Sequence, residues 1–270
     1  MRKSLMKVIV IFTTLHFYPL PIARGSSVNL HIQMLPWKEA TEIIPTGTKF
    51  DIIDVESGKY FSVQRRAGSD HADVQPLTHK DTNIMKNIYQ DNWSWKRRAV
   101  LVSYQGKLIA ASMHGMPHGA GALQNGFPGH FCVHFLNSTT HGSETPDLAH
   151  QLMVQKAGGH LEAFLYTLSP KELLEALAVG INNEDKRLLK LILIGADEKE
   201  MKKVSTIELI QWNEMNKGDT VSPLTQKINV KTKMYIKEQG PIVQDCVLYF
   251  VKDPIEGSWK LLSQTLIKRI

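Results

Sequence analysis

The fold of the first half of this 270-residue chain depends on one stretch, residues 129–135, which read GHFCVHF. Side chains alternate between the two faces of a β-strand, so this stretch predicts a strand with two chemically different faces. One face belongs in a core and carries Phe131, Val133 and Phe135. The other face carries two imidazoles and a thiol, from His130, Cys132 and His134. We predict a functional site on this second face.

The segments around this stretch also have the patterns of strands. Residues 49–63 and 98–113 each contain two apolar runs separated by a glycine-containing turn, so each predicts a β-hairpin. A helix is predicted over residues 78–89, where Thr78 is a suitable cap. We therefore predict a β-rich N-terminal domain, residues 28–157, mainly of strands with one or two helices.

The second half has a different pattern. Ser169, Pro170 and Glu172 form a capping motif that predicts the start of a helix. Two further helices and three strands are predicted, at 184–194, 205–216, 226–238, 242–252 and 258–267. This order indicates an α+β domain over residues 163–270. It resembles the NTF2-like (cystatin-like) domains often appended to secreted bacterial proteins, a fold that serves both enzymes and binding modules.

The composition excludes two classes of protein. With 43% hydrophobic and 21% charged residues the chain is not a disordered protein, and its two cysteines do not make a disulfide-dense scaffold. Because Cys132 and Cys246 lie in different predicted domains, we expect two free thiols.

Residues 1–25 have the pattern of a secretory signal peptide, with a basic start, an apolar run and small residues before a predicted cleavage after Gly25. Four positive charges lie in this segment without an acid, so removing them from the total of +6 leaves +2. Such a small charge favours no nucleic-acid partner. We expect a secreted or cell-envelope protein with no stable membrane span after signal cleavage.

Histidines are unevenly distributed along the chain. Residues 161–270 contain none, so we place acid–base chemistry in the first half. A thiol beside imidazoles suits nucleophilic catalysis, because a neighbouring histidine can remove the thiol proton before attack on a carbonyl. We predict Cys132 as the nucleophile and His130 as its base. Either His118 or His134 is predicted to orient the pair.

These residues resemble the signature of the L,D-transpeptidase (YkuD-like) catalytic domains of bacterial cell-wall enzymes. In that family a His-Gly pair and a loop precede Ser/Thr-His-Gly-Cys, an apolar residue, and Arg or Asn. The matching residues here are His118, Gly119, His130 and Cys132, and the chain departs from the signature at Gly129, Phe131 and His134. The resemblance implies acyl transfer or hydrolysis of peptidoglycan stem peptides through a thioester, without a cofactor.

Four residues are candidates for contact with such a substrate. Gly119 and Gly129 would use their backbone groups, Trp95 would stack on a sugar, and Arg98 would hold a carboxylate.

Two other functions fit the same sequence. A zinc site of His71, Asp73, His130 and His134, with Cys132 beside it, would make a zinc-dependent cell-wall peptidase or amidase that activates a bound water. A non-catalytic peptidoglycan-binding protein would need neither the thiol nor a metal.

Overall fold

The computed structural model describes residues 31–140, 145–215 and 218–267. The predicted signal peptide, residues 1–25, lies outside them. From His31 onward the chain forms one compact unit that contains two β-sheets, which confirms the prediction of a β-rich protein. The division into domains at residues 28–157 and 163–270 stays a prediction. None of the described helices combines the length and apolarity that a membrane span requires.

Six strands of the first sheet close into an antiparallel barrel. The seven strands of this sheet are β1 (Ile32–Gln33), β2 (Lys49–Asp54), β3 (Tyr60–Ala67), β4 (Ala72–Pro76), β5 (Arg97–Tyr104), β6 (Lys107–His114) and β7 (Phe131–His134). Their order is β1-β6-β5-β2-β3-β4-β7, and β7 pairs back with β6, so β2 to β7 form a ring. The short β1 adds to β6 in parallel. Closure leaves these six strands without an open edge.

Three helices accompany the barrel: α1 (Trp37–Ile43), α2 (His79–Ile88) and α3 (Leu148–Ala157). The predicted helix at 78–89 is confirmed as α2, which begins with a capping box between Thr78 and Asp81. Helix α3 packs on β5 and β6, where the barrel residues Ala99 and Ala110 join its apolar cluster.

The alternation predicted for residues 129–135 is confirmed. Phe131, Val133 and Phe135 lie in the apolar core that fills the barrel, together with inward residues of the other strands. Cys132 is not part of that core, so it lies on the outer wall of the barrel.

The second half builds a six-stranded sheet covered by helices. Its helices are α4 (Leu161–Tyr166), α5 (Pro170–Asn182), α6 (Lys186–Ile192), α7 (Glu198–Val204) and α8 (Ser263–Ile267). Its strands are β8 (Leu193–Ile194), β9 (Ile207–Met215), β10 (Asp219–Ser222), β11 (Thr225–Ile236), β12 (Gly240–Lys252) and β13 (Trp259–Leu262). They are ordered β10-β11-β12-β13-β8, with β9 also paired to β11. Helix α5 begins as predicted, with Ser169 and Glu172 as a capping box.

Two predictions in this half are wrong. The helix expected at 205–216 is strand β9, because the chain there pairs with β11 over most of its length, and Trp212 donates its indole hydrogen to the Leu174 carbonyl of α5. The helix instead lies earlier, as α7, which is capped by Asp197. The strand expected at 258–267 ends at Leu262, and the chain continues as α8.

Candidate active site on the barrel wall

The candidate site is built around β7, where the outward side chains of three neighbouring strands meet. Cys132 lies opposite Asp73 of β4, and His134 lies opposite Ser112 of β6. A separate backbone bridge pairs His118 with His130, just before β7 begins. Because side chains alternate between the two faces of each strand, the outward residues of these strands lie next to one another on the outer surface of the barrel.

Among the residues that the structure describes, His118 has the imidazole in hydrogen-bond contact with the thiol. Its Nε2 atom lies 3.2 Å from Cys132 Sγ, and its Nδ1 atom lies 3.1 Å from the carbonyl oxygen of Met116. A carbonyl oxygen only accepts, so Nδ1 carries the hydrogen and Nε2 presents its lone pair to the thiol. This is the arrangement of a nucleophile with an oriented general base. The predicted base is His130, whereas the imidazole at 3.2 Å from the thiol belongs to His118.

Asp73 is a buried carboxylate beside the same thiol. Its Oδ1 atom lies 3.7 Å from Cys132 Sγ, 3.2 Å from His71 Nε2 and 3.7 Å from His130 Nε2. Burial raises the pKa of the Cys132 thiol above its ordinary value, and the charge and hydrogen bond of Asp73 raise it further. The Cys132 thiol is therefore protonated at neutral pH, and its attack on a substrate requires a general base to remove the proton.

A stack of three imidazoles covers the other side of the site. The ring of His134 lies 4.5 Å from that of His71 and 3.7 Å from that of His150, with both pairs nearly parallel. His150 comes from α3, and its Nδ1 atom lies 2.9 Å from Ser112 Oγ. Burial holds the pKa of His150 well below its ordinary value, with the neighbouring His134 lowering it further, so this ring stays neutral.

His114 is a second histidine that the sequence analysis did not assign. It ends β6 on the same face as Ser112, and its ring lies 5.2 Å from that of His118. Burial and the neighbouring His118 lower the pKa of His114 to about 3. Alternation along β6 was the available signal for His114, whereas His150 lies on a helix that the sequence analysis did not predict.

A cleft of about 350 Å³ opens onto the thiol. Trp95, half exposed, forms part of its lining, with its ring 5.6 Å from that of His118. Arg97 and Thr140 line the same cleft. Trp95 therefore lines the cleft beside Cys132, and its contact with a substrate stays a prediction.

Arg97, not Arg98, reaches this cleft. Arg97 donates to Asp147 at 3.1 Å and to the carbonyl oxygen of Trp95 at 2.8 Å. Arg98 donates twice to Asp54, at 2.7 Å in each case. Neighbouring residues of a strand face opposite sides, so only one of the two arginines shares the face of the thiol. Arg97 therefore lines the cleft beside Cys132, whereas the predicted substrate contact Arg98 lies outside the lining of that cleft.

Gly129 has both of its backbone polar groups in hydrogen bonds, whereas Gly119 leaves space for the ring of His130. Gly129 donates its N–H to the Phe127 carbonyl, and its own carbonyl accepts from Gln75. Gly119 has a φ of +59°, and a Cβ atom there would lie 2.3 Å from Cε1 of His130. The geometry gives both glycines a structural role, and a substrate contact by either stays a prediction.

Several of these residues could hold a metal ion. Within the described part of the chain, three groups have their ligand atoms within 4.8 Å of one another, and Cys132 belongs to all three. They are His71 with His134, His114 with His118, and Asp73 with His130, each completed by Cys132. Of the predicted zinc set, His71, Asp73 and His130 meet at the Asp73 carboxylate, while His134 lies in the imidazole stack.

Comparison with protein families finds no matching family model, and comparison with curated proteins finds no significant match.

Proposed function

We propose that this protein is a cysteine-dependent acyl-transfer enzyme that acts on the stem peptides of peptidoglycan, by transpeptidation or hydrolysis. The observation that carries the proposal is the 3.2 Å contact between Cys132 Sγ and His118 Nε2 beside an open cleft. The Met116 carbonyl orients the imidazole, so nucleophile, base and orienting group are all present.

The reaction would begin with transfer of the thiol proton to His118 Nε2 as sulfur attacks a peptide carbonyl. The C–N bond of the tetrahedral intermediate then breaks, and His118 returns the proton to the leaving amine. This leaves a thioester on Cys132. An amine or a water molecule would attack the thioester, with His118 again taking the proton, to give a new peptide bond or a free carboxylate.

Two features of the cleft suit a peptide with an attached sugar. The Arg97 guanidinium can bind a carboxylate of the stem peptide, and the exposed Trp95 ring can stack on a sugar. The predicted export and the resemblance to L,D-transpeptidases favour peptidoglycan as the source of that peptide. The second sheet and its helices would form an NTF2-like domain that acts as a binding or spacer module.

The test is conversion of purified muropeptides by the protein without residues 1–25, followed by mass spectrometry of products and of the acylated enzyme. We expect a thioester adduct on Cys132, no turnover by Cys132→Ala, and at least about 100-fold slower turnover by His118→Gln. Cys246→Ala removes the other buried cysteine, which lies in the second sheet, and serves as the matched control. Undiminished turnover by Cys132→Ala would overturn the proposal.

A further inference from the structure

His71 and His130 are held in the same way around one carboxylate. The Nδ1 atom of His71 lies 2.8 Å from the Thr139 carbonyl oxygen, and that of His130 lies 3.0 Å from the Ala120 carbonyl oxygen. Because carbonyl oxygens only accept, both Nδ1 atoms carry hydrogen. In each ring the Nε2 atom then faces Asp73 Oδ1.

A lone pair on Nε2 that faces a carboxylate oxygen is repelled by it unless a proton or a metal cation lies between them. The Nε2 atom of His130 is buried, and within the described part of the chain it makes no hydrogen bond. An imidazole whose Nδ1–H is fixed by a carbonyl and whose Nε2 faces a carboxylate and a thiol has the usual orientation of a metal ligand.

The spacing of these atoms also matches a coordination shell. In a tetrahedral zinc site, nitrogen and oxygen ligands are about 3.4 Å apart, and oxygen and sulfur ligands are about 3.6 Å apart. Around Asp73 Oδ1 the corresponding distances are 3.2 Å to His71, 3.7 Å to His130 and 3.7 Å to Cys132 Sγ.

We propose that Asp73, His130 and Cys132, whose ligand atoms all lie within 4.8 Å of one another, bind one zinc-like divalent cation. A thiolate and an imidazole select zinc over magnesium or calcium, which prefer oxygen ligands. Binding breaks the S–H bond and releases that proton to solvent, since a coordinating thiol is deprotonated. The cation also neutralises the buried Asp73 carboxylate.

The other two groups of possible ligands are less suited to one ion. In the group of His71 and His134 the rings are stacked at 18° with their centroids 4.5 Å apart, so their lone pairs lie in two separate, nearly parallel planes. The group of His114 and His118 contains no carboxylate, so it offers a divalent cation less compensating charge than the group of Asp73 and His130.

The metal site has a consequence that rests on the proposed function. A thiolate bound to the cation has already lost its proton to solvent, and its sulfur lone pair is engaged by the cation. The metal-bound form would therefore be inactive in acyl transfer. Binding of the cation itself does not depend on that activity.

The test uses the full chain after treatment with a chelator, titrated with Cd²⁺, whose bond to a thiolate absorbs in the ultraviolet. We expect one Cd²⁺ per chain, no thiolate absorption in Cys132→Ala, and at least about tenfold weaker binding in Asp73→Asn and His130→Gln. His118→Gln and His134→Gln are matched controls, and both should bind Cd²⁺ within about twofold of the unaltered chain. Zn²⁺ should displace Cd²⁺ and protect Cys132 from alkylation.

Absence of the thiolate absorption in the unaltered chain would overturn the proposal, and so would unchanged binding by Asp73→Asn. Loss of binding in either control would assign the ion to a different group and overturn this ligand set. Circular dichroism of each chelator-treated variant identifies a variant that is not folded. Because His118→Gln should lose acyl transfer and keep Cd²⁺, failure of the metal site and failure of the enzyme function are distinguishable.

Discussion

At the scale of single residues, Cys132 has two neighbours with opposite effects. His118 can take the thiol proton during a reaction, whereas Asp73 opposes formation of the thiolate. Burial, which leaves Cys132 only 3% exposed, acts in the same direction as Asp73. The reactivity of this thiol therefore depends on whether the Asp73 charge is compensated.

Asp73→Asn should make the thiol more reactive in chelator-treated protein. The amide removes the negative charge, so the pKa of Cys132 falls, although burial keeps it above the ordinary thiol value. The measurement is the rate of iodoacetamide alkylation against pH, followed by mass spectrometry, and the profile should move to lower pH. Asp70→Asn changes an exposed aspartate nearby and should leave the profile in place. An identical profile for Asp73→Asn would show that Asp73 does not control the thiol.

At the scale of elements, the local sequence pattern predicted some of the site residues. The other site residues join them through strand pairings between distant parts of the chain. The alternation within β7 places Cys132 and His134 on one face, because it depends on backbone geometry alone. Asp73 joins them only because β4 pairs with β7 in a particular register. Strand β9 was predicted as a helix for the same reason, because its pairing with β11 is not visible in its local sequence pattern.

His150 illustrates the limit most clearly. It belongs to α3, which follows the barrel in sequence and packs back on β5 and β6. No local pattern indicates where a helix will dock, so the partner of Ser112 was not predictable from the sequence.

The turn at Gly119 is expected to position His130 more than it stabilises the fold. Gly119→Ala puts an L residue at a φ of +59°, which costs about 1–2 kcal/mol. Its Cβ atom would lie 2.3 Å from Cε1 of His130, so the imidazole must move. We expect Cd²⁺ to bind at least about tenfold more weakly, as for loss of a positioning contact.

Gly47→Ala is the matched control for this prediction. Gly47 has a φ of +91°, and no atom lies within 4 Å of where its Cβ would be. It should show a similar loss of stability in urea unfolding and unchanged Cd²⁺ binding. Equal Cd²⁺ affinities for the two variants would mean that Gly119 does not hold the His130 ring in place.

At the scale of the whole molecule, α3 connects the barrel with the second sheet. Its apolar residues belong to one buried cluster with Ala99 and Ala110 of the barrel and with residues of α5 and β11. Lys156, at the end of α3, pairs with Glu56 after β2 and with Asp185 before α6, at 2.6 Å in each case. The sequence showed two different halves, but the shared cluster and this ion pair predict that they unfold together.

Two lysines provide a matched test of that connection. Lys156 and its partner Asp185 are only 7% and 4% exposed, whereas Lys96 and its partner Glu184 are 42% and 65% exposed. Removing one member of a buried pair leaves an uncompensated charge and costs about 3–5 kcal/mol, while an exposed pair contributes about 0–1 kcal/mol.

Lys156→Met should therefore lower the free energy of unfolding by about 3–5 kcal/mol, and Lys96→Met by less than about 1 kcal/mol. Urea unfolding followed by tryptophan fluorescence and by far-ultraviolet circular dichroism measures both. Asp185 also caps α6 by accepting from the backbone N–H groups of Arg187 and Leu188, and Lys156→Met leaves these two contacts in place. The two probes should give one coincident transition in each variant, because the cluster around α3 is shared. Separate transitions in Lys156→Met would show that the halves are held together mainly by this ion pair. Equal losses of unfolding free energy in the two variants would show that burial of Lys156 adds nothing to its contribution.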